Sequence, residues 1–381
     1  MDDSDTISSI VVHFGELHDP RRSHRRRHLL LDVLTVAVCA VISNADTWEN
    51  VELWGVANEA WLKTFLELPG GIPSHDTFNR VFRILDPAAL QDCLLKWMAA
   101  LNVERGLKVI AIDGKTLRGS FDKASCQSAL HLVSAWSVAN QISLGQVAVG
   151  DKSNEIVAIP ELLKTIDVSG ALVTIDAMGC QKEIAKEIRK KEGDYILALK
   201  DNHPTLAAGV ADRFLPGIDA DFAGLDYETF TATEKSHGRI ERRTCEVIRG
   251  VTGLPGQEDW TELKSIVCVT RISTCRGKET SEVRYFISSA ERAANVFAQA
   301  IRDHWKIETT LHWTLDVTFG EDGSRIRKDH GAENFGLLRR IAISLLKNDD
   351  RKKTSIKGKR LLAGWDKDYL MKILFQIPQR K

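Results

Sequence analysis

The sequence predicts an α/β fold in which a mixed β-sheet is flanked by helices. Three observations lead to this prediction: helical periodicity over residues 1–105, apolar runs separated by turns from residue 108, and alternating helix and strand patterns after them. A chain of 381 residues is long enough to bury a large core and to form two or three domains. Its content of 43% hydrophobic and 27% charged residues is typical of a globular protein.

Residues 1–105 are predicted to form a helical N-terminal domain. The apolar stretch 29–43 is too short to span a bilayer and contains Asp32, so it indicates a buried helix. Ser74 is a predicted N-cap, and the helix after it carries apolar residues at the spacing i, i+3, i+4 and i+7, namely Phe78, Val81, Phe82 and Leu85. Asp86-Pro87 ends this helix, and a further amphipathic helix is predicted over 88–101.

Residues 106–220 are predicted to form the first part of the sheet-bearing core. The first three predicted strands, which form an antiparallel meander, are 108–117, 131–138 and 142–149. They are followed by a helix at 159–166, a strand at 171–176, a helix at 181–192 and a strand at 195–199. Three antiparallel strands followed by two helix–strand units is the element order of a ribonuclease H-like core.

The C-terminal half is predicted to contain an insertion and then the end of the core. Residues 221–290 are β-rich, with candidate strands at 229–234, 242–248, 265–272 and 282–288. Residues 291–350 are expected to complete the core, beginning with one helix over 293–315. Residues 351–381 form a predicted tail with a short last helix at 369–377.

Composition limits the class of protein. A formal net charge of zero argues against binding a polyanion through the whole surface, but it allows local basic clusters such as Arg21–His28, a candidate for phosphate contact. The seven cysteines are scattered without a C-x-x-C pair, which indicates neither a disulfide framework nor a zinc knuckle. The first residues lack the basic region of a signal peptide, so a reducing, cytoplasmic location is expected.

Three carboxylates suggest metal-dependent chemistry. Asp113 and Asp176 each end an apolar predicted strand, and Glu308 lies in a predicted helix much later in the chain. Carboxylate oxygens suit magnesium, and two such ions can stabilise both the attacking and the leaving oxygen of a phosphodiester. Two alternatives stay open at this point. The aspartates could only cap turns at strand ends, and Glu308 has three acidic competitors nearby, namely Asp316, Glu321 and Asp322.

Six short motifs resemble the ISAs family of bacterial insertion-sequence transposases, also known as H-repeat-associated proteins. In chain order these motifs are Ile112–Gly119, Asp151–Ile156, Thr174–Gln181, His237–Glu241, Arg302–Glu308 and Leu311–Asp322. The resemblance covers nearly the whole chain. It implies a ribonuclease H-like DDE core whose catalytic triad falls on Asp113, Asp176 and Glu308, and which holds two magnesium or manganese ions.

The resemblance also implies partners. These are double-stranded DNA, as terminal inverted repeats and as target, and a second copy of the chain on that DNA, at the bacterial nucleoid. The sequence departs from the Tyr-Arg-Glu-Lys signature of the broader transposase group, because Ile301, His304 and Leu315 stand at the tyrosine, arginine and lysine positions. The phosphate contacts of that signature therefore do not carry over to this chain.

Basic, polar and aromatic residues near these motifs are predicted to contact DNA. They are Arg80, Arg83, Lys115, Arg118, Lys152, Asn154, His237, Arg239, Arg242, Arg302, His304 and Trp305. Most have a structural alternative: a solvated helix face for Arg80 and Arg83, and core packing for Trp305. The alternative for Lys152 and Asn154, together with the neighbouring Glu155, is a hydrogen-bonded turn. For His237, Arg239 and Arg242 it is a solvated strand edge. The histidines are interpreted as DNA contacts or packing residues, since magnesium prefers oxygen ligands.

The leading hypothesis is a transposase that cuts and joins DNA at the ends of an insertion sequence. A second hypothesis is a catalytically inactive, H-repeat-associated DNA-binding relic. A third is a general nuclease with the same core, which the long helical N-terminal region and the β-rich insertion argue against, because simple degradation needs neither. Cleavage of cognate DNA ends separates the three.

Overall fold

The computed structural model describes residues 12–23, 26–101, 107–121, 128–150, 154–200, 202–214, 222, 224–236 and 238–375. It confirms the predicted α/β fold, a nine-stranded mixed sheet flanked by helices. The predicted domain boundaries at 105, 220, 290 and 350 stay predictions.

The N-terminal region is helical as predicted. Its helices are α1 (Leu30–Ile42), α2 (Trp48–Ala57), α3 (Glu59–Leu62), α4 (His75–Ile84) and α5 (Pro87–Leu101). Ser74 caps α4, because its hydroxyl oxygen accepts a hydrogen bond from the N–H of Thr77 at 3.4 Å. The four apolar residues predicted for the inner face of α4 are all buried. Pro87 begins α5, where the missing N–H of proline costs no helical hydrogen bond.

The first five strands form the predicted core. They are β1 (Val109–Thr116), β2 (His131–Ser137), β3 (Ile142–Val149), β4 (Leu172–Ile175) and β5 (Asp194–Leu199). Strand β1 lies between β2, which is antiparallel to it, and β4, which is parallel to it. The order β3-β2-β1-β4-β5 with parallel pairing at β1–β4 and β4–β5 is the arrangement expected from the element order.

Three helices accompany these strands: α6 (Glu155–Thr165), α7 (Lys182–Lys190) and α8 (Pro204–Phe214). The prediction that α6 begins at residue 159 was wrong, because the helix begins at Glu155 and continues through Pro160. Proline favours the first turn of a helix, so a start just before Pro160 was the natural expectation from sequence. Helix α8 was not predicted.

The β-rich insertion extends the same sheet. Its strands are β6 (Asp226–Ser236), β7 (Arg239–Arg249), β8 (Ser265–Cys275) and β9 (Lys278–Ser288), and β9 pairs antiparallel with β5. All four are longer than predicted, because pairing continues to tight turns at Gly238 and Gly277, both with positive φ. Most of the added residues are polar, so they lack the apolar alternation that predicts a strand.

The single helix predicted over 293–315 is instead three segments. Helix α9 (Ala294–His304) is followed by a π-helical segment (Ile307–His312) and then by α10 (Trp313–Phe319). A π-helical turn is wider than an α-helical turn and is frequent at functional sites. Gly320 ends α10 in the left-handed conformation that glycine adopts without strain.

Three C-terminal helices complete the chain: α11 (Gly331–Asn348), α12 (Ile356–Trp365) and α13 (Lys367–Phe375). Helices α11 and α12 were not predicted, and α13 begins two residues before the predicted start of the last helix. No described helix is long and apolar enough to cross a membrane. The six described cysteines are free, and Cys126 lies outside the described residues.

The sheet separates two apolar cores. Alternate residues of β1 face opposite sides, so Val109 and Ala111 belong to one core and Ile110 and Ile112 to the other. The first core combines α1–α5 with α9–α13, and the second contains α6–α8. Residues from the start and the end of the described chain therefore share one core.

An aromatic cluster joins the N-terminal helices to α11 within the first core. The ring of Phe335 is edge-on to Trp48 at a centroid distance of 4.7 Å, and Phe82 lies 4.7 Å from the same indole. The guanidinium of Arg339 lies 4.4 Å from the Phe335 ring. Phe335 is 0% exposed, so its truncation would leave a cavity between the two parts of the chain.

We predict that Phe335→Ala lowers the free energy of unfolding by about 3–5 kcal/mol, because burial is lost and the cavity cannot fully collapse. Urea denaturation followed by circular dichroism measures this change. The matched control is Phe121→Ala, since Phe121 is 50% exposed. Equal stability of the two variants would contradict the shared core.

Candidate active site

The three predicted catalytic carboxylates line one cavity. Asp113, Asp176 and Glu308 all contribute to the wall of a space of about 250 Å³ at the ends of β4 and β5, beneath α9 and the π-helical segment. The site thus gathers residues from two parallel strands and one helical segment. The strand pairing explains the first two members: Ile112 is in register with Ile175, so Asp113 and Asp176 are the next residues on adjacent strands.

Asp113 lies within β1, and its side chain is 18% exposed. By the alternation along the strand it faces the side covered by the π-helical segment. Burial and, to a smaller extent, the negative charges of Asp176, Glu308 and Glu155 raise the pKa of Asp113 to about 7, against the hydrogen bond from the N–H of Gly114. Several acidic groups therefore lie close to a partly buried carboxyl.

Asp176 follows the last residue of β4. Its Oδ1 accepts hydrogen bonds from the N–H groups of Met178 at 3.1 Å and Gly179 at 3.2 Å. Asp176 therefore does cap the turn after β4, as the structural alternative predicted, through one of its two carboxylate oxygens. Both roles fit one residue, because the turn fixes the side chain while Asp176 still lines the cavity.

Glu308 is the second residue of the π-helical segment and is exposed. Among the described residues, no hydrogen bond or ion pair engages its carboxylate. Its three acidic competitors are paired: Asp316 and Asp322 accept from the ammonium of Lys115 at 2.6 and 3.4 Å, and Glu321 is buried 3.1 Å from Arg340. Of these four acidic residues, only Glu308 lines the cavity.

Two histidines lie beside the carboxylates and are neutral. Burial, together with the cations of Arg340 and Lys115, lowers the pKa of His312 to about 3. Its Nδ1 is 3.5 Å from Asp113, but an imidazole with this pKa is uncharged at neutral pH, so the contact is not an ion pair there. Burial also lowers the pKa of His304, whose Nδ1 is 3.1 Å from the hydroxyl of Thr174. Of the two, His304 lines the cavity.

The donor set fits a hard divalent cation. Four carboxylates line the cavity; Glu282 is paired with Arg271 and Arg284, and the other three, Asp113, Asp176 and Glu308, can supply oxygen ligands. Within the described ranges, however, no group of three histidine, cysteine, aspartate or glutamate side chains is close enough to hold an ion as it stands. Cation binding would therefore draw the side chains together.

The predicted DNA contacts next to Asp113 differ in their surroundings. Lys115 is only 9% exposed, and its charge is already paired with Asp316 and Asp322. Arg118 is 82% exposed and lies 3.6 Å from Asp322. Asn154 is an exposed residue directly before α6. Lys152 and His237 lie outside the described residues.

A second cleft of about 410 Å³ adjoins the carboxylate cavity, between α9 and the strands of the insertion. Trp305 and Arg284 line both spaces, and the guanidinium of Arg284 lies 4.6 Å from the centre of the Trp305 ring. Trp305 is 40% exposed, so the core-packing alternative does not describe it. Arg302 also lines this cleft and pairs with Glu234.

The other predicted basic contacts lie farther away. Arg239 and Arg242 are exposed on β7 near its turn with β6. Arg80 is exposed on α4, whereas Arg83 pairs with Asp329 at 2.6 Å. In the basic cluster Arg21–His28, Arg21 is paired with Asp19 at 2.7 Å, and His24 and Arg25 lie outside the described part of the chain.

Sequence reasoning missed three residues near the carboxylates and misplaced a fourth. Lys200 and Arg284 line the cavity and are its cations, while Glu155 and His131 form a hydrogen-bonded pair behind Gly114. Lys200 directly follows β5, just as Asp176 follows β4, so its strand-end position was a usable signal. Glu155 was assigned to a turn because the start of α6 was predicted too late.

The three positions at which this chain departs from the transposase signature hold uncharged residues that suit their surroundings. Ile301 and Leu315 are buried in the first core, and His304 is hydrogen-bonded to β4. An arginine or lysine at these positions would need a partner for its buried charge. The chain thus places apolar or neutral groups there, and its cavity cations come from Lys200 and Arg284 instead.

Comparison with known proteins identifies relatives. Residues 104–345 match the family described as transposase DDE domain, and residues 11–98 match the DDE_Tnp_1-associated family. The H repeat-associated putative transposase YhhI of Escherichia coli strain K12 is 38% identical over 376 residues, 97% of this chain and 98% of that protein. The putative transposase YncI of Escherichia coli O157:H7 is 38% identical over 374 residues, 97% and 95% of the two chains. The inactive transposase YbfQ of strain K12 is 36% identical over 75 residues, 20% of this chain and 89% of that protein.

We predict that Asp113→Asn stabilises the metal-free protein above neutral pH. The native protein keeps the Asp113 proton up to about pH 7, whereas an unfolded aspartate loses it near its ordinary pKa of 3.8. The free energy of unfolding of the wild type therefore falls relative to that of the variant as the pH rises from 3.8 to about 7. Urea denaturation in a chelator should show a difference of roughly 2 kcal/mol at about pH 8 that shrinks towards about pH 4.

The control for this measurement is Asp92→Asn, since Asp92 is 60% exposed and paired only with Lys96. Its effect on stability should not grow over the same pH range. A pH-independent difference between Asp113→Asn and the wild type would show that the Asp113 carboxyl titrates normally.

Proposed function

This chain belongs to the family of transposases that carry the DDE domain, and on that premise we propose that it cleaves DNA at the ends of an insertion sequence and joins those ends to target DNA. The observation that supports this most is the meeting of Asp113, Asp176 and Glu308 at one cavity, although the three are far apart in sequence. No acidic competitor of Glu308 shares that position.

The proposed role of the triad is to hold two magnesium or manganese ions. Bound there, the ions would supply Lewis acidity, which lowers the pKa of an attacking water and stabilises the departing 3′ oxygen. The chain's own part is to provide the oxygen ligands on a rigid frame. Strand pairing fixes Asp113, the hydrogen-bonded turn fixes Asp176, and the π-helical segment presents Glu308.

The cations of the cavity would bind the DNA backbone next to the triad. Lys200 follows Leu199 of β5 and Arg284 precedes Tyr285 of β9, and because Leu199 pairs with Tyr285 the two cations lie next to each other across the strand pair. Each can contact a phosphate oxygen, Arg284 in addition to its ion pair with Glu282. Trp305, held under Arg284, offers a partly exposed indole on which an unpaired base could stack. The neutral His304 adds a hydrogen-bonding group without further charge.

The wider DNA surface would use the exposed arginines. Arg239 and Arg242 on the insertion, Arg118 beside the cavity and Arg80 on α4 are available for phosphate contact. We assign Lys115 and Arg83 to structural ion pairs instead, because each lies 2.6 Å from an aspartate and is less exposed than Arg118 and Arg239, whose ion pairs are longer. Joining two DNA ends requires two active sites, so a homodimer on DNA is part of the proposal.

The second candidate function is a DNA-binding protein without activity. It is favoured by the similarity to a protein named an inactive transposase. The complete set of three carboxylates argues for activity, because a relic has no need to keep unpaired acidic groups around a buried cavity. An assay for cleavage of cognate ends separates the two.

We predict that Asp113→Asn, Asp176→Asn and Glu308→Gln each reduce DNA cleavage roughly 100- to 1000-fold or more, because the ligands for the reacting centre are lost. Binding of the same DNA ends should persist, since none of the three neutral side chains adds repulsion. Cleavage of labelled terminal repeats in magnesium or manganese, and its loss in a chelator, provide the measurement. Glu291→Gln, at an exposed position, is the control. Cleavage by the triad variants at the control rate would refute the assignment.

We predict that Lys200→Ala weakens binding to all DNA sequences alike and lowers the slope of log affinity against log salt by about 1, as expected when one phosphate contact is removed. Fluorescence anisotropy over a salt series measures both quantities. Lys186→Ala is the matched control, because Lys186 is an exposed lysine on α7 away from the cavity. If the two variants give the same slope as the wild type, Lys200 does not contact phosphate.

A further inference from the structure

A fourth carboxylate lies close to the triad on the other side of β1. Glu155 is the first residue of α6, and its Oε1 is 2.6 Å from the Nε2 of His131. The Nδ1 of the same imidazole is 2.8 Å from the hydroxyl of Thr116. The Glu155 side chain is 16% exposed, so its position is fixed by hydrogen bonding rather than by solvent.

Glycine at position 114 makes this approach possible. A Cβ atom built on Gly114 would overlap the carboxylate of Glu155 and the imidazole of His131. Any side chain at this position would therefore push Glu155 away from the strand. Because Gly114 has no side chain, Glu155 can lie against the strand beside Asp113. Only the backbone of β1 then separates the carboxylates of Glu155 and Asp113.

The charge of Glu155 acts on the triad across this backbone. It is one of three carboxylates whose negative charge raises the pKa of Asp113, together with Asp176 and Glu308. Unlike those two, Glu155 does not line the cavity. It contributes negative potential without occupying the space in which a cation or a phosphate would sit.

We propose that Glu155 is a positioning residue of the active site, held by His131 behind Gly114, whose negative charge strengthens the binding of divalent cations by the triad. The proposal rests on the proposed function, because it concerns the cations that the triad would hold. It goes beyond the triad by adding an electrostatic group from the opposite face of the sheet. Its ligand class is a divalent cation, here magnesium or manganese.

A purely structural role makes a different prediction. An acidic residue in the first turn of a helix is stabilising because of the helix dipole, and Glu155 has that position. If this were its only role, removal of its charge would lower thermal stability and leave cation affinity unchanged. The proposed role requires a loss of cation affinity, whatever the change in stability.

The test uses manganese alone with the full chain. Binding is followed by electron paramagnetic resonance of free Mn²⁺ for the wild type, Glu155→Gln, Glu155→Asp and Glu161→Gln. We expect Glu155→Gln to weaken Mn²⁺ binding roughly tenfold, because one negative charge near a divalent ion is lost. Glu155→Asp keeps the charge and should restore most of the affinity. Glu161→Gln is the matched control on the same helix, since Glu161 is 56% exposed and paired with Lys164.

Thermal unfolding of the same variants shows that each is folded at the temperature of the binding assay, and DNA-end binding should be unchanged in Glu155→Gln. If Glu155→Gln binds Mn²⁺ as tightly as Glu161→Gln does, the proposal is overturned. Asp113→Asn serves as the reference for the proposed function. If Asp113→Asn cleaves DNA at the wild-type rate, the proposed function itself is wrong. If Asp113→Asn is inactive but Glu155→Gln binds Mn²⁺ as tightly as the wild type does, only the role of Glu155 is wrong.

Discussion

The parallel pairing of β1 with β4 is the constraint on which the rest of the site depends. It sets Ile112 beside Ile175, so the next residue on each strand is an aspartate and two carboxylates meet at the same edge of the sheet. The negative charges of Asp113 and Asp176 repel each other, and partial burial strengthens the repulsion. The repulsion from Asp176 adds to the effect of burial in raising the pKa of Asp113, and Lys200 and Arg284 bring positive charge to the same cavity.

Buried ion pairs fix the segment that carries Glu308. Arg340 on α11 binds Glu321 just after α10, and Arg360 on α12 binds Asp46 and the carbonyl oxygen of Thr318. These arginines are almost fully buried, and such charges are stable only when they are paired and hydrogen-bonded. They attach α10 to both the N-terminal and the C-terminal helices. The position of Glu308 over the sheet is thus a property of the whole first core.

The β-rich insertion lines one side of the carboxylate cavity. Because β9 pairs with β5, the four added strands continue the sheet beyond the carboxylates instead of forming a separate layer. Arg284 on β9 consequently lies over Trp305 at the end of α9, where the cavity and the adjoining cleft meet. The nine-stranded sheet thereby places the carboxylate cavity beside a cleft that is lined by apolar side chains and by charged ones such as Glu241 and Arg271.

The sequence by itself determined all nine strands, most of the N-terminal helices and the place of Asp176 after β4, because apolar periodicity, Ser74 and Pro87 act through neighbours in the chain. It placed Asp113 at the end of an apolar run, whereas β1 continues past Asp113. The tertiary structure alone decided which of four nearby acidic residues faces the cavity, since Lys115 and Arg340 engage the other three from distant parts of the chain. It also decided that Lys115 is buried and that Glu155 stands behind Gly114. Long-range pairing of charges and strands leaves no local pattern, so no reading of spacing could have found these arrangements.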